Sequence, residues 1–66
     1  MNSKRIGNKL RKLRGKRTLA EVSRDLGISD AALCAYELGQ RVPRDDKKMR
    51  IAKYFGKSVS ELFFDD

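Results

Sequence analysis

The sequence predicts an all-α fold, a compact five-helix bundle that contains a helix-turn-helix. Three observations carry this. Apolar residues recur at helical rather than strand spacing, as in Ile6, Leu10 and Leu13. A serine or threonine twice stands three residues ahead of a glutamate, at Thr18/Glu21 and Ser58/Glu61, just before an apolar run. Gly15, Gly27, Gly39 and Gly56 close successive runs. No stretch alternates apolar and polar residues between hairpin turns.

The elements follow in order. Ile6, Leu10 and Leu13, at i, i+4 and i+7, form one apolar stripe among lysines and arginines, ended by Gly15. Thr18-Leu19-Ala20-Glu21 reads as a capping box, in which hydroxyl and carboxylate each satisfy a free backbone N–H. Leu19, Val22 and Leu26 share a face of the second helix, and Gly27 supplies a left-handed ending. Ser29 caps a third helix, with Leu33 and Tyr36 facing inward and Gly39 closing it. Residues 40–44 form a loop, because Pro43 keeps Val42 out of helical geometry. Asp45 or Asp46 opens a fourth helix, where acids suit the positive end of the helix dipole. Met49, Ala52 and Phe55, joined by Ile51, are its expected buried side, and Gly56 ends it. Ser58-Val59-Ser60-Glu61 is the second capping box, followed by Leu62 and Phe63.

Composition narrows the function. A chain of 66 residues reads as one small domain, 1–66. No run approaches the ~18–20 apolar residues of a membrane span, and no export signal opens the chain, so a soluble, cytoplasmic protein is expected. One cysteine and no histidine exclude an internal disulfide and leave no zinc-ligand set or Cys/His catalytic pair. An enzyme is not expected, nor a metal or cofactor. The charge is +7, and residues 1–17 carry eight basic side chains (Lys4, Arg5, Lys9, Arg11, Lys12, Arg14, Lys16, Arg17) and no acid. Residues 18–46 hold three basic and six acidic groups. A field so divided favours a polyanion on one face, nucleic acid above all; a solvated helix surface is the plainer explanation.

Two short helices joined by Gly27-Ile28-Ser29 have helix-turn-helix spacing, about residues 18–38. Val22, Leu26, Ile28 and Leu33 can pack the pair together, with Ser23 as the small residue where they cross. With "YELGQRVPRD" directly after the motif and "IAKYFGKSVSELFF" closing the chain, the sequence resembles the lambda-repressor/Cro-like (XRE) helix-turn-helix family, in particular its small bacterial and phage members. The resemblance runs from "IGNKLRKLR" through "SVSELFF". It implies a transcriptional regulator of the bacterial cytoplasm or nucleoid, commonly a homodimeric repressor without a ligand-binding domain. Its partner is double-stranded DNA, and helix 29–38 enters the major groove.

The resemblance also implies roles for single residues. Arg14 and Glu37 match a structural ion pair between helix 1 and the end of helix 3, which places the arginine near the DNA backbone. Thr18 matches the cap of helix 2, whose free N–H groups meet a phosphate. Lys16 and Arg17 precede it as further phosphate candidates, and Arg41 and Arg44 lie in the phosphate-gripping loop. Asp30, Ala31, Ala32 and Ala35 match positions that face base edges. There are departures as well. Leu19 stands where many members carry Gln, the connection from Arg14 to Thr18 is short, Lys47 takes a position usually apolar, and Arg44 replaces a frequent Ser cap.

Each residue has a plainer reading beside the functional one. Asp30 either accepts a hydrogen bond from cytosine or is a first-turn acid suited to the helix dipole. Ala31 and Ala35 either touch thymine methyl groups or are good helix formers on an exposed face. Cys34 is a redox switch or a bystander thiol, the latter needing no special setting. Arg41 and Arg44 bind phosphate or confer solubility. Tyr36 reads as core. Phe63 and Phe64 are core and edge, or a dimer surface. The alternative function is a protein-interaction module on the same bundle, with Leu38, Phe63 and Phe64 as its apolar patch and only non-specific DNA binding.

Overall fold

The computed structural model describes residues 2–64. Within them five helices follow in order: α1 (Ser3–Arg14), α2 (Leu19–Leu26), α3 (Asp30–Glu37), α4 (Asp45–Phe55) and α5 (Ser60–Phe64), the last a single π-helical turn. No strand occurs among the described residues. Side chains start most of them. Asn2 Oδ1 accepts from the Arg5 N–H at 3.1 Å, Thr18 Oγ1 from Glu21 at 3.1 Å, and Ser29 Oγ from Ala32 at 3.0 Å. Before α5 the capping box is complete, since Ser58 N–H donates to Glu61 Oε1 at 3.2 Å and Glu61 N–H to Ser58 Oγ at 3.0 Å.

Two expectations about caps are refined. Thr18 and Glu21 form only half of their box, because among the described residues the Glu21 carboxylate makes no return bond. Arg44 precedes α4 without a side-chain cap, and Asp45 and Asp46 supply negative charge in that first turn instead.

The core draws on every helix: Ile6 and Leu10, Val22 and Leu26, Leu33 and Tyr36, Ile51 and Ala52, Leu62 and Phe63. Each fully buried Leu, Ile or Phe contributes roughly 1.5–3 kcal/mol of transfer free energy. Leu13, Leu19, Ile28, Phe55 and Val59 flank this cluster as partly buried neighbours. A close approach joins α1 and α3. Gly7 is buried where the two helices meet backbone to backbone; a Cβ built there would overlap the Glu37 carbonyl and lie 2.8 Å from the Tyr36 carbonyl oxygen.

Two sequence expectations are corrected here. Met49 is 65% exposed, so it is not on the buried side of α4. The inward stripe is Lys48, Ile51, Ala52 and Phe55, at i, i+3, i+4 and i+7, and Met49 lies about 100° further round the helix. The helix buries the lysine stem rather than rotate Ile51 and Ala52 out. Thus Lys48, 7% exposed, is the cation in an apolar setting, whereas Lys47 is half-buried. The Lys48 ammonium sits 4.8 Å from the Phe64 ring centroid, 5.9 Å from that of Phe63 and 3.7 Å from an Asp45 oxygen. Phe63, considered for a dimer surface, is 1% exposed and fills the core, because α5 directs it inward beside Leu62; Phe64 is 55% exposed.

Gly7→Ala should destabilise the fold by about 3 kcal/mol, at the upper end of overpacking costs, despite the better helix propensity of alanine. Urea unfolding followed by circular dichroism measures it; a stabilised variant would show that the crossing is looser than described. The Ser58 N–H bond, and then the Ser58 hydroxyl, hold the Glu61 carboxyl below its usual range. This stabilisation is complete above the unfolded-state value of about 4.3 and is lost as pH falls through the lower folded-state value. The urea midpoint of the wild type should therefore exceed that of Glu61→Gln near neutrality and converge with it in acid.

Candidate nucleic-acid interface

The motif is set by its turn. Gly27, at φ +71°, adopts the left-handed conformation that lets α2 stop abruptly. Its N–H bonds the Arg24 carbonyl at 3.1 Å, and the next N–H, of Ile28, reaches back to Ser23 at 3.0 Å. Ser29 then starts α3 directly. Where the helices cross, Ser23 is 1% exposed. Its hydroxyl donates to a carboxylate oxygen of Asp30, with the Ala20 carbonyl 3.2 Å away. Asp30 therefore engages one of its oxygens inside the motif, linking α2 to the first turn of α3.

On the outer side of α3, Ala31 is exposed, while Cys34 and Ala35 are half-buried. Ala32, expected to face base edges, instead packs against the core, being four residues before buried Tyr36 on the same helix face. Leu38, 54% exposed, follows the helix. A hollow of about 200 Å³ is lined by Arg11 and Arg14 of α1, Leu19 of α2, Cys34 and Glu37 of α3, and Leu38. That lining puts the first turn of α2 and the outer side of α3 on one side of the molecule. Among the described residues, the N–H groups of Thr18, Leu19 and Ala20 take no partner, so this turn presents open donors at a positive helix end. A second hollow, of about 360 Å³, lies beyond α3 and gathers Arg41, Arg44 and Lys47 around Tyr36 and Val42, with Asp46 tempering the charge.

Arg14 ties these parts together. Its Nε donates to Glu37 Oε2 at 2.7 Å, Nη2 to Oε1 at 3.1 Å, and Nη1 to the Arg17 carbonyl at 2.8 Å. The two side chains are 20% and 7% exposed. Hydrogen bonding to Glu37, opposed by desolvation, raises the Arg14 pKa further above its ordinary value. The group is a permanently charged strut with three donors committed within the protein.

The whole motif, the loop after it and most of α1 and α5 fall within residues 8–62, which match a model of the helix-turn-helix family of XRE type. The chain belongs to the XRE-type helix-turn-helix family. No curated protein and no solved structure matches it. As an XRE-type chain it is a DNA-binding regulator, of a family that is generally non-enzymatic. No helix among the described residues is long and apolar enough to cross a membrane.

Within the XRE frame, the structure distributes the sequence-chosen residues unevenly. Lys16 and Thr18 are exposed beside the start of α2, and Arg41 and Arg44 share the second hollow. Arg17, exposed as well, lies against Tyr54 and Phe55 of α4. Two residues were missed. Lys47 joins the arginines of the loop, which only folding reveals. Gly7 had a visible signal, since an interior helix glycine costs about 0.5–1 kcal/mol and invites a packing reason.

Removing either partner of the Arg14–Glu37 pair should cost unequal amounts. Arg14→Ala strands a nearly buried carboxylate and frees the Arg17 carbonyl, a loss of about 3 kcal/mol. Glu37→Ala leaves a guanidinium already one-fifth exposed, which water can reach, and should cost about 1.5–2 kcal/mol. Equal losses in urea unfolding would mean that the pair is solvent-screened.

Proposed function

We propose that this XRE-type chain is a sequence-specific binder of double-stranded DNA that represses transcription as a homodimer. Helix 29–38 of each protomer would occupy successive major grooves, with half-sites about one helical turn, ~34 Å, apart. The observation that carries the reading is that the first turn of α2 and the outer side of α3 line one hollow, while the arginines of the following loop gather in a second. Open N–H groups of α2, the short-chained outer side of α3 and the arginines of the following loop are each suited to a different part of one duplex.

The division of labour follows from residue type. Phosphate contacts by Arg41, Arg44, Lys16 and the Thr18 turn supply affinity and a steep salt dependence, with Lys47 adding to the loop. Arg14 supports them from its ion pair. Recognition falls to short side chains. Ala31 and Ala35 offer methyl surfaces for thymine, and a helix without long side chains can approach closely enough to sense groove shape. Asp30, held by Ser23, orients the first turn of α3 and has an oxygen left for a cytosine amino group. Phe64, exposed on α5, is the aromatic available to a second copy.

Selection from a random duplex pool should yield a palindromic site preferred over bulk sequence by ~10³-fold or more at physiological salt. Arg41→Ala should weaken binding to all duplexes alike and lower the salt slope by about one, whereas Ala31→Gln should change the preferred sequence. Equal binding to every duplex would instead favour an interaction module using the exposed Leu38 and Phe64.

A further inference from the structure

Arg17 is one residue ahead of the α2 cap, where a cation is expected to face DNA; it is exposed, yet its guanidinium is bonded along the surface of the fold. Nη2 donates to the Leu13 carbonyl at 3.0 Å and Nε to that of Arg14 at 3.4 Å, so the charge caps the negative C-terminal end of α1. Nη1 donates to the Tyr54 hydroxyl at 3.0 Å, and that hydroxyl donates in turn to Asp25 Oδ2 on α2 at 2.9 Å. The guanidinium carbon stands 5.3 Å from the Tyr54 ring centroid and 5.5 Å from that of Phe55, against two rings set edge to face. The Arg17 carbonyl is held from the other side by Arg14. The short connection from α1 to α2 is thus clamped from both ends.

The same route braces α2 along its length. Tyr54 holds Asp25 near its far end, and Arg50, one turn earlier on α4, donates to the Leu26 carbonyl at 3.0 Å. We infer that Arg17 is a positioning residue for DNA binding rather than a phosphate contact: through Tyr54 and Asp25 it sets where the open N–H groups of the Thr18 turn stand. The inference rests on DNA binding through that turn, but not on sequence specificity or dimerisation. A planar fork is required, because a lysine ammonium cannot span two carbonyls and a hydroxyl while lying against two rings.

The test is fluorescence anisotropy with a random-sequence duplex over a range of KCl concentrations, at a temperature where circular dichroism shows each variant folded. Tyr54→Phe, which removes one oxygen and no charge, should weaken binding roughly 5-fold with an unchanged salt slope. Arg17→Lys should weaken it equally despite keeping its charge, and the double variant should be no worse than either, since both break one network. A merely structural role would lower the urea midpoint but leave the affinity of the folded protein untouched. Arg17→Lys binding like wild type, or Arg17→Gln losing about one unit of slope while Tyr54→Phe is silent, would overturn the inference and return Arg17 to the phosphate contacts. Should Tyr54→Phe not fold, Arg17→Lys decides alone. A wild type that binds no duplex at all would remove the DNA-binding reading itself, and the inference with it; failure confined to the variants touches only the inference.

Discussion

The approach of α1 to α3 at Gly7 conditions nearly everything else in this bundle. Because the residue has no side chain, the helix backbones meet at the Glu37 and Tyr36 carbonyls. Two turns along the same helix, Arg14 then stands within reach of the Glu37 carboxylate and grips it with two donors. Its third bond, to the Arg17 carbonyl, carries the restraint into the connection that precedes α2. From there the Arg17 side chain passes it to Tyr54 and so to Asp25. A single steric permission in α1 thereby constrains α3 directly and α2 through a chain of charge-assisted bonds, and these are the two helices of the motif.

The charge distribution acquires a different meaning once these partners are known. The middle of the chain is rich in acids, which would repel a polyanion if they stood open. Several are engaged within the fold: Glu37 by Arg14, Asp30 by Ser23, Asp25 by Tyr54. Bonding to Asp25 raises the Tyr54 pKa, so the phenol remains a donor under all ordinary conditions. Of these acids only Glu37 is paired with a cation among the described residues; Asp25 and Asp30 accept from hydroxyls and stay exposed, as do Lys16, Arg41 and Arg44.

Lys48 illustrates how a small core accommodates an awkward residue. Its stem completes the inward stripe of α4, and its ammonium rests near Phe64 and Asp45 at the rim. The aliphatic part replaces a hydrophobe, and the charge is met by the Phe64 ring and the exposed Asp45 carboxylate. Apolar identity is therefore an imperfect guide to which face a helix buries, as exposed Met49 beside it shows.

Much of the fold was legible in the sequence because the relevant physics is local. Periodic apolar residues, hydroxyl caps and left-handed glycines act within one or two helical turns, so the helices and the motif at 18–38 follow from neighbours along the chain. Ser23 as the crossing residue belongs to the same class, since the motif's geometry is itself short-range. The candidate site was less legible. Whether Arg17 faces DNA or α4 depends on Tyr54, 37 residues away, and the sequence contains no local trace of that meeting. The same holds for Phe63, Met49 and Lys48, whose burial depends on how α4 and α5 rotate against the other helices. By itself the sequence determined the helices, their ends, the turn between α2 and α3 and the excess of basic charge. Only the tertiary structure decided which of those charges are spent inside the protein, because hydrogen bonds and burial are settled by what folding brings within a few ångströms.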